Sequence, residues 1–245
     1  MAILGAFMNA DIWVEQTDLS NYVNEVMVEA HVNALDATTF GSGGWVANTG
    51  GLRSGKVDIK GYWSSATTVD PDPLIQPLLG TTGNPVTIIP TTATVANPCY
   101  FGTFLAPTYK TGGKVGDLLT FETNPIADAP IVRGQVANTT ALIATGTTTI
   151  LNLGTTPTAN QAVYANLHVV TVSGGTPSMT VTVQGATSAG FGSPATIVTS
   201  SAITTASAVK LKGATGATSN QYYRLSVTIT GSTPSFLLYA AIGIA

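Results

Sequence analysis

Charged side chains are scarce in this sequence, where they make up 9% of the 245 residues. Ordinary soluble domains carry roughly a quarter. Hydrophobic residues still reach 44%, so the chain can bury a core and a disordered protein is excluded. No run approaches the ~18 apolar residues of a membrane-spanning helix. The apolar residues 1–8 lack the basic start of a signal peptide, so none is expected.

Cysteine and basic charge are also in short supply. A single cysteine, Cys99, excludes an intrachain disulfide framework and a CxxC metal site. The formal net charge of −3 argues against capture of nucleic acid by a broad basic surface. What remains is a folded, weakly charged chain whose polarity comes from Thr, Ser, Asn and Gly.

The few charges are unevenly placed along the chain. All twelve acidic residues lie between Asp11 and Asp128, together with six of the nine basic ones, whereas only Lys210, Lys212 and Arg224 follow residue 136. A change this abrupt predicts two domains with different surfaces, 1–137 and 138–245. Both are of ordinary domain size.

Strand patterns dominate the first of these domains. Residues 24–34 and 56–62 alternate between apolar and polar side chains, as half-buried antiparallel strands do. Residues 70–80 predict one short helix, because prolines suit its first turn, Asp70 can cap it and Gly80 can end it. The Gly-, Thr- and Asn-rich residues 36–53 predict a long loop. Further strands are predicted at 11–15, 86–89, 100–106, 115–123 and 129–136, with a turn at 112–113.

The second domain consists of short β-rich runs that Gly, Pro, Ser and Asn interrupt at regular spacing. Thr and Ser alternate with aliphatic residues in 149–153, 179–183 and 225–229, so their hydroxyl groups are expected on the outer face of each strand. This pattern predicts an antiparallel β-sandwich.

The residues that carry most enzyme chemistry form no recognisable constellation. His31 and His168 lie in separate predicted strands, and Cys99 has no nearby basic residue to lower its pKa. The glycine-rich residues 41–44 lack the lysine of a phosphate-binding loop. We therefore expect a packed or sheet-surface role for both histidines, a buried thiol, and no cofactor.

Paired carboxylates could hydrolyse glycosides. Glu25 and Glu29 share one strand face but lie about 13 Å apart along it, which is long for such a pair. Asp70 and Asp72 lie beside prolines, and a role as helix caps explains them more simply than catalysis does. Calcium binding by Asp70, Asp72 and Asp128 is conceivable, although no EF-hand spacing exists. The sequence favours a protein that is not an enzyme and holds no metal.

The order of several short motifs resembles the tail tube (major tail) proteins of long-tailed bacteriophages. In the first domain they are DLSNY (18–22), DATTFG (36–41) and GKVDIKGYW (55–63), followed by the short helix. In the second, residues 165–169, 173–177, 222–231 and 239–244 are similar to the β-sandwich that decorates some of these proteins. The resemblance implies an all-β chain: a tail-tube-like β-barrel or sandwich with one short helix, then a C-terminal antiparallel β-sandwich.

What the resemblance implies is a structural virion protein, assembled in the host cytoplasm, whose hexameric rings stack helically into a tube for DNA ejection. Its partners are then other copies of itself, other tail proteins at the tube ends, and DNA that passes without specific binding. The pore face is assigned four candidates: Glu25, Glu29, Asp58 and Glu122. The 36–53 loop, as an arm on the next subunit, is assigned four more: Phe40, Trp45, Leu52 and Arg53.

Other functions stay open at this stage. A phage fibre or adhesin would use the sandwich to recognise cell-surface glycans, and a tail adaptor or terminator would share the tube fold. The low charge of the second domain fits a decorating surface, and equally a surface that packs against its own copies.

Overall fold

The structure, a computed structural model, describes residues 9–39 and 45–245. Within these ranges it contains seventeen strands and one short helix. Neighbouring strands pair antiparallel, which confirms the predicted all-β class. The described residues form a large continuous sheet and do not close into a barrel.

The elements of the first part are β1 (Asp11–Val14), β2 (Thr17–Asp18), β3 (Val23–Asp36), β4 (Asn48–Tyr62), α1 (Pro71–Ile75) with a 3-10 turn (Gln76–Leu78), β5 (Asn84–Ile89), β6 (Pro98–Leu105), β7 (Tyr109–Gly112), β8 (Thr120–Thr123), β9 (Ile126–Ala127) and β10 (Val132–Asn138). Those of the second part are β11 (Ala141–Leu142), β12 (Gly146–Thr147), β13 (Leu151–Asn152), β14 (Val163–Ala186), β15 (Ala195–Thr199), β16 (Ser207–Lys212) and β17 (Tyr222–Ile244).

Two layers enclose the core of the first part. In one layer β5 pairs with both β1 and β6. In the other the order is β3–β4–β8–β7, and α1 adds Leu74 and Ile75 to the core. The apolar faces of the alternating strands meet inside, so the charged faces point away from the core. The main strand side chains of this core are Ile12, Val14, Val57, Ile59, Val86, Ile88, Phe104 and Phe121.

A long hairpin replaces most of the predicted 36–53 loop. β3 continues to Asp36, and β4 begins at Asn48 and pairs with it directly, so the prediction of a loop down to Arg53 is wrong. From residue 29 to residue 36 every residue of β3 is exposed. This exposed part is about 26 Å long at the usual strand rise. The hairpin therefore extends well past the core that anchors it.

Two smaller predictions in the first part also need correction. α1 ends at Ile75 and gives way to the 3-10 turn, because Pro77 has no N–H to continue the helix. Asp70 makes no side-chain cap on α1; its carboxylate instead accepts hydrogen bonds from Ser64, Thr67 and Tyr22. Of the predicted strand 115–123, only β8 forms.

One bent ribbon builds the sandwich of the second part. β14 and β17 pair along their whole length, and the register shifts near the middle. There Gly174, Thr176 and Gly231 have positive φ, a conformation that glycine adopts freely and other residues rarely. Leu167 from one half and Val181 from the other share a single core, so the ribbon folds over and supplies both layers. The β-rich runs of the sequence predict four short strands here, at 163–173, 178–185, 222–230 and 235–244, and these are the two halves of the two long strands.

Buried contacts join the second part to the first. Trp13 stacks on Tyr239 with ring centroids 3.9 Å apart. Asn166 is fully buried, and its Nδ2 donates to the carbonyl oxygens of Val86 at 3.2 Å and Gly102 at 3.1 Å. Residues from both sides of position 137 also share one core cluster. The domain boundary itself stays a prediction, but these contacts pack the two parts against each other.

Candidate assembly surface

The outer face of the sheet β3–β4–β8–β7 carries a row of alternating charges. Across the strands the row reads Glu25, Lys60, Glu122 and Lys110, each directly opposite the next in the register. Residues directly opposite in an antiparallel pair share a face. Lys60 Nζ lies 2.7 Å from Glu25 Oε1, and Lys110 Nζ lies 3.9 Å from Glu122 Oε1.

A second group of charges lies on the same face, further towards the end of the hairpin. Lys56 Nζ is 3.3 Å from Glu29 Oε2 and 3.2 Å from Asp58 Oδ2. Hydrogen bonds to Asp58 and then Glu29 raise the pKa of Lys56. A hydrogen bond from Asn124 is the main cause that lowers the pKa of Asp58. Lys56 and Asp58 therefore stay ionised through the physiological range.

The structure thus brings the four predicted pore residues, Glu25, Glu29, Asp58 and Glu122, onto one face. It also places three lysines among them: Lys56, Lys60 and Lys110. Four carboxylates and three ammonium groups leave one negative charge, so the face is nearly neutral rather than strongly acidic. The sequence pattern could not reveal this pairing, because it depends on the register between four strands. Whether this face lines a pore stays a prediction.

The end of the hairpin holds the described residues of the predicted arm. Trp45 and Leu52 are each 82% exposed, and Arg53 is exposed as well. Phe40 lies outside the described residues. Clusters of large apolar side chains with such high exposure commonly mark a protein interface. An isolated two-stranded hairpin is also only marginally stable in water.

Both outer edges of this four-stranded sheet are open within the described part of the chain. β3 pairs only with β4, and β7 pairs only with β8. A cleft of about 510 Å³ runs beside the middle of β3, lined by Val28, Ile88 and Ile131 among others. Unpaired strand edges are templates for pairing with another chain. The two edges are therefore candidate contacts between copies.

The residues considered for catalysis take structural positions. His31 lies on the exposed hairpin, opposite Ser54, whereas His168 is 1% exposed. Cys99 is buried, and burial raises its pKa to about 12, so it stays a thiol. These three side chains do not come together.

The carboxylate pairs are separated or already engaged. Glu25 and Glu29 bind different lysines. The hydroxyl groups of Ser64 and Thr67 hold the pKa of Asp70 well below its usual range. Among residues 9–39 and 45–245, no group of three or more His, Cys, Asp or Glu side chains is arranged to hold a metal. No helix in these ranges is long and apolar enough to cross a bilayer.

Comparison with known proteins gives structural likenesses only. No protein-family model and no curated protein sequence matches the chain. Among solved structures, it is similar to a chain of the native gene transfer agent virion, with 17% identity and a TM-score of 0.41, over 53% of this chain and 97% of that one. A chain from the tail of the empty gene transfer agent particle, refined with C6 symmetry, has 16% identity, a TM-score of 0.41 and the same coverage.

A third likeness covers nearly the whole molecule. The Dit protein (gp 19.1) of phage SPP1 has 13% identity and a TM-score of 0.37, over 96% of this chain and 99% of that one. All three proteins are parts of phage or phage-like particles, the class that the sequence motifs resemble. At these identities and TM-scores, the likenesses assign no function to this chain.

Proposed function

We propose that this chain is a structural subunit of a phage tail, in which six copies join edge to edge into a ring and rings stack into a tube for DNA. One observation carries the proposal. The sheet β3–β4–β8–β7 has two open edges that bear opposite charges at the same level, Glu25 on β3 and Lys110 on β7. The number of copies in the ring, six, is taken from the resemblance of the sequence motifs to tail tube proteins.

Strand direction suits such a ring. Successive strands alternate in direction across the sheet, so β7 runs opposite to β3. When β7 of one copy lies beside β3 of the next, the new pair is therefore antiparallel like all the others. The same contact repeats head to tail and leaves no open edge in a closed ring.

The register of this contact follows from charge and from side-chain alternation. With Lys110 opposite Glu25 of the next copy, the alternating row continues without a break around the ring. Tyr109 then lies opposite Val26 of that copy, and both of these side chains face the core. A slip by one residue would place Lys110 opposite Asn24 or Val26 and break the row of alternating charges, so charge and alternation together specify the register.

In this ring the charged face points inward, because the opposite face of the sheet is buried against β1, β5 and β6. Each copy presents one net negative charge to the channel. A face of paired charges offers few free cations to phosphates, so DNA passes without being held. The second part of the chain lies on the far side of the core and decorates the outside. Nothing in this role requires catalysis, and the protein belongs in the virion.

The ring contact is tested by charge reversal. Lys110→Glu puts like charges across every contact, and so does Glu25→Lys; like charges directly opposite are destabilising. Each variant alone is expected to stay unassembled at low ionic strength, where exposed charges are least screened. Negative-stain microscopy and sedimentation velocity measure the rings.

An equimolar mixture of the two variants is expected to recover ring formation. When the variants alternate around a ring, every contact again joins one negative and one positive side chain. At one contact the introduced glutamate meets the introduced lysine, and at the next the unchanged Lys110 meets the unchanged Glu25. Only a ring with an even number of copies can close in this way, so a trimeric fibre protein would not recover in the mixture.

Lys212→Glu is the matched control, because it reverses an exposed lysine outside this sheet. It should assemble like the unmodified chain. Assembly of either ring-contact variant alone, or a stable monomer at high concentration for the unmodified chain, would contradict the proposal.

A further inference from the structure

The loop between β7 and β8, residues 113–119, presents an apolar side chain to solvent. Every residue of this loop is exposed, and Val115 is fully so. The loop still has a defined shape, because the N–H of Asp117 donates to the carbonyl oxygen of Lys114 at 3.0 Å and Gly116 has a positive φ. This turn places Val115 at the end of the loop, where a partner can reach it.

A cleft of about 650 Å³ lies beside the first residues of β3, at the open edge of the sheet. Ile12 and Val23 are among its apolar lining residues, and Asp11, Ser20 and Asn21 are among the polar ones. We call this cleft the β3-start cleft. Its mixed lining suits a loop that carries both apolar and charged side chains.

The polar side of the β3-start cleft holds negative charge without a cation. Burial is the main cause that raises the pKa of Asp11, and the charge of the nearby Asp18 raises it further. Neither carboxylate forms an ion pair within residues 9–39 and 45–245. A cation supplied by another copy would therefore be attracted to this pair of carboxylates.

The proposed ring contact brings the loop of one copy to the cleft of the next. With Lys110 opposite Glu25, the antiparallel pair continues until Gly112 lies opposite Val23, and the loop begins at the following residue. The loop therefore passes beyond the start of β3, to the level of Asn21.

The edge pair alone is a small contact. β7 has only four residues, which span about 13 Å at the usual strand rise. Stable protein interfaces bury about 1,200–2,000 Å². A closed ring therefore needs a further contact beside the paired strands, and the loop and the cleft both lie directly next to them.

We propose that the β7–β8 loop of one copy docks into the β3-start cleft of the next copy in the same ring, with Val115 in the cleft and Lys114 facing Asp11 and Asp18. The contact rests on the proposed tail-tube function and names a second surface by which neighbours in a ring bind. It buries the exposed valine and gives the two carboxylates a cation.

Disulfide cross-linking of the full chain tests this contact, using Val115→Cys together with Asn21→Cys. The native Cys99 is fully buried and stays out of the reaction. Within one copy β7 is three strands away from β3, about 14 Å, whereas a disulfide needs Cα atoms closer than about 7 Å. Mild oxidation of assembled rings is expected to give a ladder of linked chains that ends at six on a non-reducing gel.

Val115→Cys together with Thr205→Cys is the matched control, because Thr205 is an exposed residue in the second part of the chain. This pair should give no ladder. A ladder of equal strength would mean that the links arise from random collisions and would overturn the docked contact.

Charge reversal tests the contact without cysteine. Lys114→Glu should raise the protein concentration at which half of the chains are in rings by about tenfold, whereas Lys212→Glu should leave it unchanged. If the unmodified chain forms no rings, the proposed function fails. If it forms rings but the Val115→Cys and Asn21→Cys pair does not link, or Lys114→Glu assembles like Lys212→Glu, the loop contact is overturned while the ring stands.

Discussion

The free energy of unfolding is expected to fall by about 3 kcal/mol through His168 alone as the pH is lowered from about 7.5 to about 4. Complete burial lowers the pKa of this imidazole from its ordinary 6.5 to about 4. The unfolded chain therefore takes up a proton below pH 6.5, whereas the folded chain does so only near pH 4. The stabilisation is fully present above pH 6.5 and is lost across this window.

The geometry around His168 explains why the neutral form is required. Its Nδ1 donates to the carbonyl oxygen of Glu15, and its Nε2 accepts from the hydroxyl of Thr87 at 2.7 Å. This assignment of the proton follows from the carbonyl, which can only accept. The ring lies near Trp13, with centroids 6.3 Å apart, and no carboxylate in the described ranges bonds to it to stabilise a cation. His168 thus joins the two parts of the chain in its uncharged state.

The carboxyl of Glu15 works in the opposite direction. Burial raises its pKa from 4.5 to about 7, so its contribution to stability is present below pH 4.5 and lost as the pH rises through 7. Because part of the group is exposed, this opposing effect is the smaller one. Denaturant unfolding followed by circular dichroism, from about pH 4 to about pH 8, measures the sum. Glu15→Gln is expected to steepen the loss on acidification and His168→Gln to flatten it; an unchanged slope in His168→Gln would contradict the assignment.

For the charged face, alternation in the sequence predicts which side chains point outward but not which of them form ion pairs. Period two in residues 24–34 and 56–62 correctly places Glu25, Glu29 and Asp58 on polar strand faces. It does not reveal the lysine beside each of them, because cross-strand neighbours depend on register. The register in turn depends on a hairpin whose end has no alternating pattern.

The loop prediction for the hairpin is wrong for a physical reason. Its glycines are typical of loops, yet one of them serves close packing between the two strands. A Cβ on Gly51 would lie 2.9 Å from Cγ of Leu35 on β3. Glycine at this position lets the Leu35 side chain cross the hairpin, so a residue that predicts a loop allows a strand. The edge strand β7 gives no signal in the sequence, because its four residues lack a clear pattern.

The junction between the two parts is equally hidden in the sequence. Asn166 and His168 lie two residues apart in an apolar strand, so the sequence indicates that both side chains point to the same face. It does not indicate which residues they bind. Their partners are separated by 80 and 81 positions for Val86 and Thr87, and by 153 for Glu15. Contacts at such separation depend on the whole fold, which short-range periodicity does not encode. The abrupt change in charge near residue 136 is the only sequence signal that two differently exposed parts meet here.

If the proposed tube forms with the charged face inside, reversing the charge of that face is expected to turn a tube that releases DNA into one that binds it. Glu29→Lys with Met27→Lys makes this face more positive by three charges per copy, where Met27 is 50% exposed and Glu29 lies in an exposed ion pair. Neither residue belongs to the ring contact between Glu25 and Lys110. The net charge of the face changes from one negative to two positive. With roughly six or more phosphates neutralised per ring, binding should weaken about 10³-fold between about 50 and 200 mM salt.

Retention of a short DNA duplex by assembled tubes, measured at several salt concentrations, checks this expectation. The unmodified tube should retain little DNA at any of them. A control with lysines at the exposed residues Thr187, Ser188 and Thr205 adds the same charge to the second part of the chain. If the charged face lines the channel, DNA bound by the double variant is protected from nuclease, whereas DNA bound by the control is digested. Equal digestion in both tubes would place the charged face outside the channel and remove the physical basis for a passive conduit.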